Sequence, residues 1–439
     1  MHPRYHYAPV RNWLSDPNGL VHDGTHWHMA YQYNPHGEEW GHMAWGHAVS
    51  ADLAHWQERA PALVEEAGVM VFSGSAVVDR ADSAGFGKDA IVAIWTGADI
   101  PHQRQSQCLA FSTDKGATWT KYPGNPVLDI GLADFRDPNV FWHAATARWV
   151  MIVVLSTENR AAIYSSPDLK AWTLQSHVPT LDAPGHLWEC PLLIELPIEG
   201  ESASRWLFKV DVLSGAPGSG ALYLTGTFDG AAFTPDGPWQ LADAGSDFYA
   251  AIAWHEPRDE RGRPCWIGWM GNHAYQKHLP LQGWRGAMSV PRRLSLVRRE
   301  GALVLRQDME PSTVRRFGPD APLTLSLAAQ TTPLASRIAI ADTGAWSLEI
   351  GAADGRHLLI ERDHGKVSVA RHDPVTPELD GRWEAPIATR AALTLWLDVG
   401  SIELLDATGA LSLTLQHRLG GPGVYLRTDR PLPVGLSAL

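Results

Sequence analysis

Three carboxyl-bearing motifs stand at the heads of strand-like runs far apart in the chain: Trp13-Leu14-Ser15-Asp16-Pro17-Asn18-Gly19, Phe135-Arg136-Asp137-Pro138-Asn139 and Trp188-Glu189-Cys190-Pro191. If the fold gathers those heads, Asp16, Asp137 and Glu189 surround one pocket. Cleavage of a glycosidic bond needs such a set, because one carboxylate acts on the sugar while a protonated partner donates to the leaving oxygen.

The chain repeats at the length of a four-stranded propeller blade. A Ser/Asp/Trp turn recurs at Ser50-Ala51-Asp52-Leu53-Ala54-His55-Trp56, Ser112-Thr113-Asp114-Lys115-Gly116-Ala117-Thr118-Trp119 and Ser165-Ser166-Pro167-Asp168-Leu169-Lys170-Ala171-Trp172. A weaker copy ends at Phe233, so the aromatic ends are spaced by 63, 53 and 61 residues. A polar residue ahead of an apolar run keeps the same beat at Asp16, Ser73, Asp137, Glu189 and Asp247, with intervals of 57, 64, 52 and 58. Five units are implied. The first strand of each blade lines a propeller's channel, so equivalent positions converge on the axis. The competing reading is a β-sandwich with chance spacing of Asp and Trp.

With 439 residues, 45% of them hydrophobic, the chain can bury a large core and build more than one domain. Its 40 glycines and 31 prolines point to many turns and few helices. A net charge of −12 without basic stripes disfavours nucleic acid. No apolar stretch has the length of a membrane span, and Met1-His2-Pro3-Arg4-Tyr5-His6-Tyr7 lacks a signal-peptide core. Cys108, Cys190 and Cys265 suit a reducing compartment rather than a disulfide framework. The expected location is the cytoplasm, or outside the cell if a leader has been removed. His22, His26, His28, His42 and His47 fit no metal-ligand spacing, so neither metal nor cofactor is expected.

Twenty tryptophans are available to carry the apolar faces of sugar rings while nearby polar groups read hydroxyls. Trp13, Trp40, Trp45, Trp188, Trp269 and Trp284 lie in or beside the segments sent to the axis. Trp40 and Trp269 are the favoured sugar contacts, whereas Trp56, Trp119, Trp149 and Trp172 belong to blade cores.

The motifs already quoted, with Tyr31-Gln32-Tyr33-Asn34-Pro35, Trp45-Gly46-His47, Phe72-Ser73-Gly74-Ser75, Asp247-Phe248-Tyr249-Ala250 and Arg285-Gly286-Ala287-Met288-Ser289-Val290-Pro291-Arg292, follow one another over about 280 residues. Their order resembles the invertase, inulinase and levanase family of β-fructosidases, glycoside hydrolase family 32. The resemblance implies an all-β chain, a five-bladed propeller followed by a β-sandwich, and a retaining double displacement that releases terminal β-D-fructofuranosyl units from fructans, fructo-oligosaccharides or sucrose. It implies Asp16 as nucleophile, Glu189 as general acid/base and Asp137 as the group that holds fructosyl hydroxyls. Because free Asp and Glu titrate near about pH 4, environment must divide the roles. Glu189, beside Trp188, Cys190 and Pro191 and facing two carboxylates, is expected to have its proton affinity raised. Asp16 is expected to stay ionised, helped by N–H groups of a tight Pro17-Asn18-Gly19 turn and by Arg136.

Expected substrate contacts are Trp13, Ser15, Asn18, Gln32, Trp40, Phe72, Ser73, Arg136, Cys190, Asp247, Tyr249 and Trp269. Asp247 is open to two readings, a leaving-group contact or a blade-turn cap. One departure from the family pattern is Ser15, where Asn is usual. Since that position is associated with the choice between water and sugar as acceptor, fructosyl transfer through the same site is the alternative reaction. A non-catalytic sugar-binding propeller would be expected to have lost a carboxyl, and an arabinofuranosidase-type propeller lacks the Trp-x-x-Asp-Pro-Asn-Gly opening.

Beyond about residue 300 the character changes. Leu303–Gln307 closes the first unit, Pro311, Pro319 and Pro322 punctuate the next stretch, and alternating strands follow, with Asp363-His364-Gly365 reading as a hairpin turn. The expected division is 1–308 propeller, 309–317 linker and 318–439 β-sandwich. The runs Gln105–Trp119, Asp134–Pro138 and Lys209-Val210-Asp211-Val212 before a glycine-rich 215–220 loop look more like exo-acting inulinases and levanases than sucrose-phosphate hydrolases. Linkage preference, polymer or oligosaccharide, and monomer or homodimer stay open.

Overall fold

The computed structural model describes residues 2–179, 182, 184–214, 219–421 and 423–439; positions 215–218 of the glycine-rich loop lie outside them. Among the described residues twenty-three strands form five sheets, each built on four antiparallel strands in chain order, with the short strands Gln240–Leu241, Trp284–Arg285 and Ala287–Met288 added at edges. Their first strands are Asn12–His22, Val69–Asp79, Phe135–His143, His186–Pro197 and Tyr249–Trp254. Each touches the next, and the fifth touches the first, closing a ring. This is a five-bladed propeller, closed without strand exchange by a short parallel pairing of Asn12–Trp13 with Trp284–Arg285.

The pattern of side chains explains the stacking. In Arg148–Leu155, Val150, Ile152 and Val154 pack toward the fourth blade while Trp149, Met151, Val153 and Leu155 pack toward the second. Both faces are covered, so the strand reads as one continuous apolar run instead of an alternating one. The Ser/Asp/Trp repeats join third to fourth strands. Ser50 Oγ accepts from Leu53 N and Asp52 Oδ1 accepts from Ala54 N and His55 N, Asp114 and Asp168 do the same in their blades, and Asp229 serves the fourth. A short polar side chain that bonds its own backbone fixes such a turn.

Every inner strand loses register with its neighbour at one level of the channel: between Leu14 and Pro17, Phe72 and Gly74, opposite Arg136–Asn139, between Glu189 and Leu192, and between Tyr249 and Ile252. Asp137, Cys190 and Ala250 adopt positive φ there, at 63°, 46° and 52°. A bulge re-aims side chains that a regular pleat would send into the blade stacks. Pro17-Asn18-Gly19 is accordingly part of a bulged strand, not the tight turn expected.

After the last propeller strand, Ala302–Met309, a one-turn helix at Pro311–Val314 leads to two six-stranded sheets packed face to face. Their shared core includes Ile338, Leu348, Ile360, Val369, Leu395 and Leu404. His364 and Gly365 turn the hairpin between His357–Asp363 and Lys366–His372. The sandwich packs on the propeller through buried charge. Asp398 accepts from the backbone N–H groups of Arg4, Tyr5 and His6, and the His6 ring lies 2.8 Å from Asp398 and 2.7 Å from Glu403. Arg292 of the fifth blade bonds Glu403 and Asp243.

Candidate active site

Asp16, Ser73, Asp137 and Glu189 come from four different inner strands, and the bulges turn them to one mouth of the channel. Ser73 Oγ donates to Asp16 Oδ2 at 2.6 Å. Cys190 N donates to Asp137 Oδ2 at 2.9 Å, and the Cys190 thiol lies 3.6 Å from Asp16 and 3.8 Å from Asp137. One residue therefore touches two of the three carboxyls and is the chain neighbour of the third. Tyr249 Oη donates to Glu189 Oε2 at 2.5 Å. Arg136 forks across the gap between blades, with Nη2 3.0 Å from Glu189 Oε1 and 2.6 Å from Ser156 Oγ, and Nη1 3.0 Å from Asp134.

These contacts reverse the expected order of proton affinities. Burial pushes Glu189 up, but Arg136, His273 and the Tyr249 hydroxyl outweigh it and hold Glu189 below the usual carboxylate range. Burial and the charge of Glu189 raise Asp16 despite the Ser73 bond, and burial raises Asp137 to about 7. Arg136 was expected to serve Asp16. The positive φ of Asp137 swings the preceding guanidinium toward blade four, where Glu189 receives it. The group as a whole carries more negative charge than its cation offsets, so it retains a proton well above pH 4.

Other expected contacts divide into those at the mouth and those beneath it. Trp40 is 55% exposed on the rim, edge-on to Phe72 at 5.9 Å. Trp13 is nearly buried and donates through Nε1 to Ser15 Oγ at 3.2 Å. Asn18 is fully enclosed and staples two blades, donating to Asp16 O and accepting from Gly74 N. Gln32 is spent similarly on Val71 O. Trp269 is buried under Trp13, Tyr249 and His273, so it supports the pocket and offers no face to a sugar. Trp45 and Trp188 are core residues.

Asp247 holds neither a leaving group nor a blade turn. Its buried carboxylate faces the sandwich, where Arg371 Nη1 lies at 3.1 Å, Gln416 donates through N and Nε2 at 2.9 and 3.0 Å, and Ser246 and Tyr275 add hydroxyls. No lone pair is left for a sugar. Tyr249, two residues on, takes the fifth blade's place at the mouth. Sequence reasoning overlooked Thr96, whose Oγ1 accepts from Asp137 N at 2.9 Å, and His273, whose exposed ring stands 4.9 Å from Tyr249. Neither carries a motif. Among the described residues no group of His, Cys, Asp and Glu could hold a metal ion, and no helix is long and apolar enough to cross a membrane.

A five-bladed propeller with three carboxyls gathered at its axial mouth, joined to a β-sandwich, is thus the class that fold and site define. The profile of the glycosyl hydrolases family 32 N-terminal domain matches residues 6–307, and the chain belongs to that family. It is 45% identical over 307 residues to a levanase of Bacillus subtilis (strain 168), a match that covers 67% of this chain and 44% of the levanase. The chain spans 62% of the length of an extracellular exo-inulinase from Aspergillus niger, to which it is 40% identical over 337 residues, 67% of this chain. In structure it is similar to exo-inulinase from Aspergillus awamori, with a TM-score of 0.90, 29% identity and coverage of 100% of this chain and 98% of that one. β-Fructofuranosidase from Schwanniomyces occidentalis, complexed with fructosyl-erythritol, gives 0.89 at 29% identity, covering 100% and 97%.

Proposed function

We propose that the protein is a retaining β-fructofuranosidase that releases terminal β-D-fructofuranosyl units from fructans, fructo-oligosaccharides or sucrose. The observation that carries this reading is the Cys190 bridge, which ties Asp16, Asp137 and Glu189 into one buried acidic group facing the channel mouth. Asp16, held by Ser73, attacks the anomeric carbon and forms a fructosyl-enzyme. Glu189 protonates the departing oxygen, then takes a proton from the water that releases fructose. Asp137 holds fructosyl hydroxyls and stabilises the charge that develops on the ring.

The proton order of the site is compatible with this sequence. The carboxyl group already stores a proton in weakly acid solution, and fructosyl hydroxyls that bond Asp137 and Asp16 stabilise their ionised forms. The stored proton then belongs to Glu189, next to the leaving oxygen. Trp40 and Phe72 at the rim receive the remainder of the substrate, with Trp13 lining the inner wall. Support for fructan over sucrose comes from the relatives named levanase and exo-inulinase. Burial of all three unpaired cysteines is compatible with a reducing compartment, and cell fractionation tests that location.

A time course with sucrose, inulin, levan and levan oligosaccharides, read by chromatography, tests the whole reading. Fructose released singly from chain ends is the expected outcome; no fructose from any of the four overturns it. Transfer through the same site would show as lengthened oligosaccharides at high substrate.

A further inference from the structure

Behind the acid/base lies a buried ion pair that the mechanism above does not use. Lys209 and Asp211, on the second strand of blade four (Ser204–Ser214), have side chains with no solvent exposure and are paired with each other. Glu189 stands opposite Asp211 in the ladder and Leu192 opposite Lys209, so the two-residue bulge of Cys190 and Pro191 faces Val210 alone. Lys209 Nζ donates to the carbonyl of Cys190 at 3.0 Å. The same peptide segment sends the Cys190 N–H to Asp137 and its thiol toward Asp16. Asp211 leaves one carboxylate oxygen, Oδ1, with no hydrogen-bond partner. An enclosed ion pair is an expensive way to fill a core, and a hydrophobic pair of similar volume often serves stability as well or better.

We infer that Lys209, held in place by Asp211, is a positioning residue for this reaction: it pins the bulge that aims Glu189 and Cys190, and its basic head tunes the carboxyl group from behind. This rests on the functional reading given above. Around the same carboxyls stand Arg136 from blade three, Tyr249 and His273 from blade five, and the Cys190 thiol. Of these, only Arg136 is a permanent cation, and it is shared with Asp134. Lys209 is thus a further basic group at this end of the channel, one with no solvent exposure.

The two charges can be separated by comparing Asp211→Asn with the double variant Lys209→Met/Asp211→Asn, using the full chain and fructose release from sucrose. Both lack the Asp211 carboxylate, so the pair differs by the Lys209 side chain, its bond to the Cys190 carbonyl and whatever proton it keeps without its partner. The double variant buries no unpaired charge and keeps side-chain volume, which preserves folding. Expected are limbs of the kcat/KM pH profile that lie about half a unit or more higher in the double variant than in Asp211→Asn. Its kcat should fall about tenfold below the parent with KM within about threefold, as for loss of a transition-state contact. Coincident limbs in the two variants, with parental kcat in the double, would overturn the inference and leave Lys209 as core filling. Absence of fructose release by the parent protein would instead overturn the functional reading beneath it.

Discussion

Buried charge is handled in opposite ways at two places in this molecule. At the propeller–sandwich junction every one of four carboxylates meets a basic side chain: Asp243 takes Arg292 and two groups of Thr414, Asp247 takes Arg371, Asp398 takes three backbone N–H groups and His6, and Glu403 takes Arg292 and His6. Despite burial, Glu403 is held at about 2 and His6 is raised to about 9. At the channel mouth Arg136 bonds Glu189, while Asp16 takes a hydroxyl from Ser73 and the Cys190 thiol, and Asp16 and Asp137 are pushed up. Charges that hold the domains together are met by basic side chains and N–H groups; those that the proposed reaction uses are left unbalanced. Active sites are where such imbalance is tolerated, because the substrate completes the arrangement.

The contrast breaks most sharply at Asp16. Asp16→Asn should lower fructose release by roughly four orders of magnitude, yet leave the melting temperature equal or higher, since it relieves like-charge crowding. A clear loss of stability would show that the carboxyl is structural. Glu403→Gln should do the reverse. It removes the buried carboxylate that Arg292 and His6 share, leaving them Asp243 and Asp398, and should cost about 3–5 kcal/mol in denaturant unfolding, while turnover per folded molecule stays within about twofold of the parent.

The pH dependence of stability sharpens the same point. His6 binds its proton more tightly folded, at about 9 against an ordinary value of 6.5, because its bonds to Asp398 and Glu403 exceed the cost of burial. Its stabilisation is therefore complete below 6.5 and lost as pH rises through about 9. His6→Gln should cost more at about pH 6 than at about pH 10; equal losses at both would remove the charged imidazole from the junction. Asp137 slopes the same way, but by penalising the ionised form and not by rewarding the protonated one. With a folded value raised to about 7 from 3.8, it destabilises the fold progressively as pH climbs through that window, and Asp137→Asn should flatten the decline. The smallest effect belongs to Trp40→Ala, expected to raise KM a few fold, by about 1 kcal/mol of contact, with no change in melting temperature. An unaltered KM for both oligosaccharide and polymer would take Trp40 out of the binding surface.

The repeat made the blades legible, because a turn that needs Ser, Asp and an aromatic at fixed spacing announces itself four times. The carboxyls were legible for a related reason: each heads an inner strand, and inner strands converge. What the local pattern could not reveal was the partner across the fold. Asp247 keeps the beat as well as Asp137 does, but Arg371, 124 residues away on the sandwich, takes its carboxylate. Arg136 adjoins Asp137 in sequence, and only the backbone twist at that residue decides that its guanidinium crosses to Glu189. Trp269 lies on an axial segment, yet the ring is sealed beneath Tyr249. Proton order failed for the same reason, since it is a sum over neighbours contributed by other blades.

The junction has a bearing on how the chain comes to be made. The propeller's first and fifth blades meet through a two-residue parallel pairing, and the segment just ahead of that seam, Arg4–His6, is anchored on Asp398 and Glu403, some 390 residues later. During synthesis the two-residue seam lacks this anchor until Asp398 and Glu403 have been made. Contacts of such sequence separation form slowly, and the unsealed first blade is exposed throughout. Truncation ahead of Asp398 should therefore be felt some 390 residues away, as protease access to the first blade.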